Sequence, residues 1–472
     1  MTNNGVSLNQ LTFRESLNDL NNWSTLPPGE RKPLLLRGAR QVGKSSLVKL
    51  FAAQSPLKLV EINLEKEKRF QKIFEESNFS DLKKSLEFSL DIDLNDKKHL
   101  LFIDEIQKTP QAIESLRYFY EEHPNCHVIA AGSLLDFALN DKRISVPVGR
   151  IQYHYVSPMN FCEFLLALNQ KKLADFIYHY RLGESVPLTI HEMLLRFLRE
   201  YFCIGGMPEA VKIWAKYRDF SRVKKIHRSI TDTYRDDFSK YAQGVKLQRI
   251  QRIFDKIPAQ VGKKVKYSAL DPEIQSRDLR EALDLLHQAR VTKKIFHSDC
   301  AHLPLTSGIN DLIYKIYALD VGLMNQELGV GPNELESREQ STELISFGPI
   351  AEQVVLQNLL SADKWRDQGL VYWLRETKTT NAEVDFVAAF NGEMIPIEVK
   401  SGKSGSLRSL HQFMALKKSK RALRFDANPP STLHVQHEVI TSEGRKSVDF
   451  ELISLPLYLS SQCFQILGTE SA

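Results

Sequence analysis

The chain has 472 residues, 42% hydrophobic and 26% charged, with 63 basic against 58 acidic side chains and a formal net charge of +5. Such a length is too great for one hydrophobic core and predicts about three domains. No apolar run reaches the roughly 18 residues that span a bilayer, and the opening MTNNGVSLNQ lacks the basic and apolar parts of a secretory signal, so a cytoplasmic protein without a membrane partner is expected.

From residue 33 the runs PLLLR (33–37), LKLVEI (57–62), HLLFI (99–103) and HVIAAG (127–132) read as buried strands. Their hydrophobicity is continuous rather than alternating, which suits a parallel sheet covered on both faces. Helical segments such as SSLVKLFAAQ and IESLRYFYEEH lie between them, and this alternation predicts a doubly wound α/β domain over 1–157. Over 158–260 the strand signal stops. NFCEFLLAL, IHEMLLRFLREYF and FSRVKKIHRSITDTYRDDF have helical apolar spacing, broken at GGMP (205–208), and read as a helical lid. Over 261–330 KYSALDP, the charged helix RDLREALDLLHQA and the strand VTKKIF are compatible with a winged-helix-like region. A polar, Gly- and Pro-containing linker is expected over 328–341. The last domain, 342–472, opens with a helix at 349–361. Strands follow at 370–375, 383–390 and 394–400, then a helix at 407–418 and a strand near RALRF.

Gly38-Ala39-Arg40-Gln41-Val42-Gly43-Lys44-Ser45 matches GxxxxGK[ST], between a strand and the helix that opens at Lys44. Backbone N–H groups from Gly38 to Ser46 at a helix N-terminus are suited to wrapping the phosphates of ATP. Lys44 is the residue to reach the β- and γ-phosphates, and Ser45 the one to ligate Mg²⁺. LLFIDE (100–105) is a buried strand ending in two carboxylates: Asp104 for the Mg²⁺ shell and Glu105 as general base toward water. Ser133, closing the next strand, is either a γ-phosphate sensor or a helix N-cap. Arg150 is either an arginine finger acting on a neighbouring copy, which would imply a homo-oligomer, or a surface arginine.

The segments LLRGARQVGKSSLV, LLFIDEIQ, VGRIQYHYVSPMNFCEFL, GGMPEAV, IYALDVGL and EVDF…IPIEVK occur in this order between Trp23 and Phe425. Together they resemble a family of prokaryotic AAA-type P-loop ATPases with an additional, largely uncharacterised C-terminal domain. The resemblance implies an α/β, AAA-type ATPase core, a helical lid, a winged-helix-like region and a C-terminal α/β restriction-endonuclease-like domain. The sequence departs from the family pattern after Ala131-Gly132, where many relatives have a run of serines and only Ser133 stands here.

The last domain carries a second constellation. Asp385 lies in EVDFV, and Glu398-Val399-Lys400 closes the next strand. Residues two apart on a strand share a face, so Glu398 and Lys400 point together, and a hairpin can bring Asp385 beside them. Glu352, on the preceding helix, can approach the same point. Carboxylates of this kind ligate Mg²⁺ and a nearby lysine orients water, as in PD-(D/E)xK nucleases. Metal-dependent action on nucleic acid, DNA in the first instance, is the expected function. A nucleotide switch whose C-terminal domain only binds a protein or nucleic-acid partner is the alternative. Tyr372, Trp373 and Phe386 either stack on bases or pack the core. Basic clusters at Arg222, Lys224, Lys225 and Arg228, at Lys263, Lys264 and Lys266, and at Lys417, Lys418, Lys420 and Arg421 either hold phosphates or are solvated faces. Cys126, Cys162, Cys203, Cys300 and Cys463 form no CxxC pair and read as buried thiols.

Overall fold

A computed structural model describes residues 13–76, 78–133, 135–139, 144–332, 348–362, 369–376, 381–402, 406–441 and 444–468. Most of the linker expected over 328–341 lies outside the described residues. The chain divides into two compact units that part between Ser157 and Pro158.

In the first unit the continuous apolar runs become β1 (Leu34–Arg37), β2 (Lys58–Asn63), β3 (His99–Asp104) and β4 (His127–Ala131). They are joined by β5 (Gln152–Tyr155), and all pair in parallel in the order β2-β3-β4-β1-β5. Leu101, Ile103, Val128 and Ala130 of the sheet pack with Ile113, Leu116 and Phe119 of the helix Pro110–Glu121. Each Leu, Ile, Val or Phe among them contributes about 1.5–3 kcal/mol on burial, which is why a strand without polar positions is stable only with both faces covered. Parallel pairing brings the C-terminal ends of β1, β3 and β4 to one edge of the sheet, where open α/β sheets bind their ligands.

The second unit begins with the helices Phe161–Ala167, Lys171–His179, Leu188–Ile204, Pro208–Tyr217, Phe220–Phe238 and Gly244–Lys256. Asn160 and Glu163 close a reciprocal capping box on the first of them. The break at GGMP has a tertiary partner. Asp320, fully buried, accepts from Gly206 N at 2.6 Å and also from Gly322 N and Leu323 N, capping the helix Val321–Glu327. Two of the sequence motifs, GGMPEAV and IYALDVGL, thus meet through one carboxylate.

After the helix Ser276–Gln288, β6 (Thr292–Ser298) turns back into the antiparallel β7 (Ile309–Ala318). This hairpin extends the C-terminal sheet. With β8 (Leu370–Glu376), β9 (Asn381–Phe390), β10 (Glu393–Val399), β11 (Arg421–Asp426), β12 (Ser431–Thr441) and β13 (Gly444–Pro456) it forms eight strands in the order β12-β13-β11-β10-β9-β8-β6-β7. The helix Arg408–Lys417 carries the chain from β10 to the parallel β11. Between β9 and β10, Asn391 and Gly392 have φ of 47° and 79°, the positive pair that a two-residue hairpin turn of right-handed twist requires. That turn sets Glu393 opposite Phe390 and Ile397 opposite Phe386, so Glu398 comes beside Asp385. Tyr372, Trp373 and Phe386 are buried core residues, and all five cysteines are buried. Among the described residues no helix is long and apolar enough to cross a membrane.

Candidate functional site

The loop between β1 and the helix Lys44–Gln54 follows from steric necessity at its first residue. Gly38 has φ of 146°, and a Cβ there would stand 2.3 Å from the Val156 carbonyl oxygen, so only glycine fits. Ala39 and Val42 are buried, Arg40 is half-buried, and Gln41 is exposed with φ of 62°. Gly43, left-handed at φ 93°, turns the chain into the helix, with Ser46 on its exposed side. Lys44 lies back over the loop, and Nζ donates to the carbonyls of Gly38 and Ala39 at 2.8 and 2.7 Å. Burial pulls its ammonium down to about 8, against the opposing pull of Glu105 and Asp104.

Ser45 Oγ donates to Asp104 Oδ2 at 2.9 Å, joining the loop to the end of β3. Burial raises the Asp104 carboxyl, which the Ser45 hydrogen bond partly offsets. Glu105, next along at φ 53°, accepts from Gln107 Nε2 at 2.5 Å and from Ser133 Oγ at 3.1 Å. Ser133 therefore touches the proposed base through its side chain. Nothing in the sequence singles out Gln107, although it sits two residues beyond Glu105 in LLFIDEIQ. Arg150 does not join this constellation within its own unit. It precedes β5, at the opposite end of the sheet from the loop, and Nε donates to Glu121 Oε1 at 2.7 Å. That half-exposed pair contributes about 0.2–1 kcal/mol.

This arrangement fits Mg²⁺ and the phosphates of a nucleotide. Ser45 and Asp104 present a hydroxyl and a carboxylate side by side, and Lys44 holds a buried positive charge above a loop of backbone N–H groups.

The second unit brings Glu352, Asp385, Glu398 and Lys400 together, and adds three residues to which the sequence does not point. Lys315 and Tyr317 come from β7, and Glu383 from β9. Lys315 Nζ lies 2.6 Å from Glu383 Oε1 and 3.4 Å from both Glu352 Oε2 and Asp385 Oδ1. The first is a close ion pair, and the other two are long, weak hydrogen bonds. Tyr317 OH donates to Glu352 Oε2 at 2.9 Å, Val399 N to Asp385 Oδ2 at 2.9 Å, and Lys400 Nζ to Glu398 Oε1 at 2.5 Å. Burial, then the charge of Asp385, pushes Glu352 up to about 7 and Glu398 up to about 8. Burial works to lower Lys315, but Tyr317 and the carboxylates of Glu352, Asp385 and Glu383 outweigh it and hold the ammonium charged.

A divalent metal ion does not fit this second centre as arranged, because Lys315 already stands among the oxygens that would ligate it. Among the described residues no group of three or more His, Cys, Asp or Glu side chains is disposed to hold a metal ion. The ligand set expected from the sequence is thus gathered in space but bridged by an internal cation.

Residues 30–165 match the family model of a AAA domain. Residues 195–334 and 347–458 match two further families, each described as a domain of unknown function, DUF8612 and DUF4143. None of the curated proteins matches the chain. Among solved structures, the Walker-type ATPase of Pyrococcus abyssi is 16% identical over 67% of this chain and 95% of its own, at a TM-score of 0.42. PCH-2 of C. elegans is 17% identical over 46% of this chain and 68% of its own, at a TM-score of 0.28. Residues 30–165 form a AAA-type P-loop ATPase domain.

Proposed function

From a AAA-type P-loop ATPase domain over residues 30–165, we propose that this protein uses ATP hydrolysis to govern how its second unit acts on nucleic acid. The observation that carries the catalytic half is the Ser45–Asp104 hydrogen bond, with Lys44 and Glu105 on either side of it. In this reading Lys44 exchanges the carbonyls of Gly38 and Ala39 for the β- and γ-phosphate oxygens of ATP. Ser45 and Asp104 would hold Mg²⁺, which would supply charge neutralisation at the phosphates. Glu105 turns from Gln107 and Ser133 to a water molecule and takes its proton as the oxygen attacks the γ-phosphorus. The bond to the β-phosphate oxygen breaks, releasing ADP and inorganic phosphate. Arg150 is assigned to the nucleotide of a neighbouring copy in a homo-oligomer, as an arginine finger.

The second unit divides in this reading into a helical lid (158–260), a winged-helix-like region (261–330) and a PD-(D/E)xK-like domain (342–472). The convergence of Glu352, Asp385, Glu398 and Lys400 supports the nuclease-like assignment of the last. Lys315 favours the reading in which this domain binds its partner without cutting it while the hairpin β6–β7 stays in the sheet. Metal-dependent cleavage is the second reading, carried by Glu398 and Lys400 on one face at the end of β10.

One experiment addresses both halves. Purified protein is given Mg²⁺ or Mn²⁺ and mixed single- and double-stranded DNA, with and without ATP, as parent, Lys44→Ala and Asp385→Ala. ATPase activity in the parent and its loss in Lys44→Ala are expected; parental turnover in that variant would refute the assigned site. Cleavage lost in Asp385→Ala would establish the nuclease, whereas DNA retention without cleavage supports the binding reading.

A further inference from the structure

Lys315 has no part in nucleotide chemistry, yet it is ion-paired to three carboxylates at once. It projects from the buried half of β7 and has no exposed side-chain surface. An ammonium so far from water needs paired charge. It receives that charge from Glu383 and Asp385 on β9 and from Glu352 on the helix Gly348–Ala362. Tyr317 and the ring face of Tyr372, 5.5 Å away, close the remaining sides.

A second observation is independent of Lys315. Glu398 is 5% exposed, and its Oε2 is buried with no hydrogen-bond partner, although Oε1 is held by Lys400. Four carboxylates, Glu352, Glu383, Asp385 and Glu398, therefore face two lysines, Lys315 and Lys400. One of their oxygens lacks any donor. Hard oxygen ligands in excess of local cation are the donor set of Mg²⁺, Mn²⁺ or Ca²⁺.

We infer that Lys315 is the resident cation of this centre. Its ammonium engages oxygens that a divalent metal ion would need, and the centre admits such an ion only when Lys315 is withdrawn or replaced. The inference rests on the nuclease-like reading of the centre given above. It makes the hairpin β6–β7 a built-in block on that centre, since β7 supplies the plug and Tyr317 beside it.

The test counts bound Mn²⁺ by electron paramagnetic resonance without nucleotide or DNA, and follows the melting temperature with and without Mn²⁺. The parent and its Asp385→Asn variant are expected to bind equally little. Lys315→Met should bind one further Mn²⁺ per chain and melt higher in its presence, and Lys315→Met/Asp385→Asn should lose both effects. If Lys315→Met does not fold, Lys315→Met/Glu383→Gln removes one charge of each sign, keeps Glu352, Asp385 and Glu398, and should show the same gain. No gain in a folded Lys315 variant, or Mn²⁺ bound by the parent and lost in Asp385→Asn, overturns the inference. Metal gained without DNA cleavage would count against the nuclease reading while leaving the role of Lys315 intact.

Discussion

The hydroxyl of Ser133, at the end of β4, donates to the Glu105 carboxylate, at the end of β3, across 3.1 Å. Gln107 supplies a second donor to the same oxygen, so the proposed base is held by two side chains from its own unit. Glu105→Gln should lower kcat for ATP hydrolysis by about 10²–10⁴ and leave nucleotide affinity unchanged, the size expected of a general base. Ser133→Ala should lower kcat by about tenfold or less, since its contribution is one hydrogen bond of about 1 kcal/mol. Phosphate release under saturating ATP measures both, and a parental rate in Glu105→Gln would move the base elsewhere.

Lys44 carries a pH signature. Its ammonium is pulled down to about 8 by burial, and phosphate recognition needs the charged form. Affinity for ATP should therefore be steady below pH 8 and weaken above it, by up to about tenfold per pH unit. The effect on stability has the opposite sign. Between about pH 8 and the ordinary lysine value the unfolded chain holds a proton that the folded chain has lost, so the nucleotide-free protein should gain stability with pH from this group. Equilibrium titration with a fluorescent ATP analogue from about pH 7 to about pH 9.5, a range that spans the transition, checks the first. Lys44→Met should abolish the dependence along with the affinity.

Gly38→Ala should be disproportionately damaging for a single methyl group. The new Cβ would meet the Val156 carbonyl at 2.3 Å in a backbone region that L-residues avoid. Strain of this kind costs about 1–3 kcal/mol and would move the loop off its phosphate-binding shape. A fall in melting temperature together with loss of ATP binding is expected. Loss of neither would mean that the loop is not held against Val156.

Glu398 should make the second unit lose stability as pH rises. Its folded-state value is pushed up to about 8 by burial and Asp385, so between the ordinary glutamate value and about 8 the folded chain keeps a proton that the unfolded chain releases. Stability from this group is complete at acid pH and declines through that window. Glu398→Gln should flatten the decline and exceed the parent near pH 8 by about 1–3 kcal/mol, since each tenfold difference in proton affinity between the folded and unfolded chain is worth ~1.4 kcal/mol. Urea unfolding at about pH 5.5 and about pH 8, two points well separated on that slope, makes the comparison; a parent equally stable at both would remove its basis.

Much of this is legible from residue order, for identifiable reasons. β1 to β4 are continuous apolar runs, and their P-loop and carboxylate pair lie within a few residues of strand ends, so local pattern is enough. β5, QYHY, has alternating polar and aromatic residues and reads only as the surroundings of Arg150. β7 escapes a sequence reading because INDLIYKIYA opens with Asn310 and Asp311 and carries Lys315 inside its buried half. A charge there looks like a solvated position until the carboxylates that neutralise it, which come from residues 352 to 385, are in place. The long β12–β13 hairpin has mostly exposed positions on β12 and so lacks an apolar signal. In the second centre, Asp385, Glu398 and Lys400 can be picked out because a hairpin relates them by simple register. Lys315 is out of reach because only tertiary structure relates it to them, whereas Glu383, two residues before Asp385 on β9, shares its face and is the one that strand register could have added.

The pairing of β6 with β8 joins the two segments of unknown function in one sheet. Each is therefore half of a single folding unit, and neither should be separable by gene dissection. A fragment beginning near residue 347 would leave the β8 edge uncovered, inviting strand addition from other copies. It would also shed the lysine that neutralises its own acidic centre. The two segments should be inherited together, and separately made halves should find each other in solution and restore one protein.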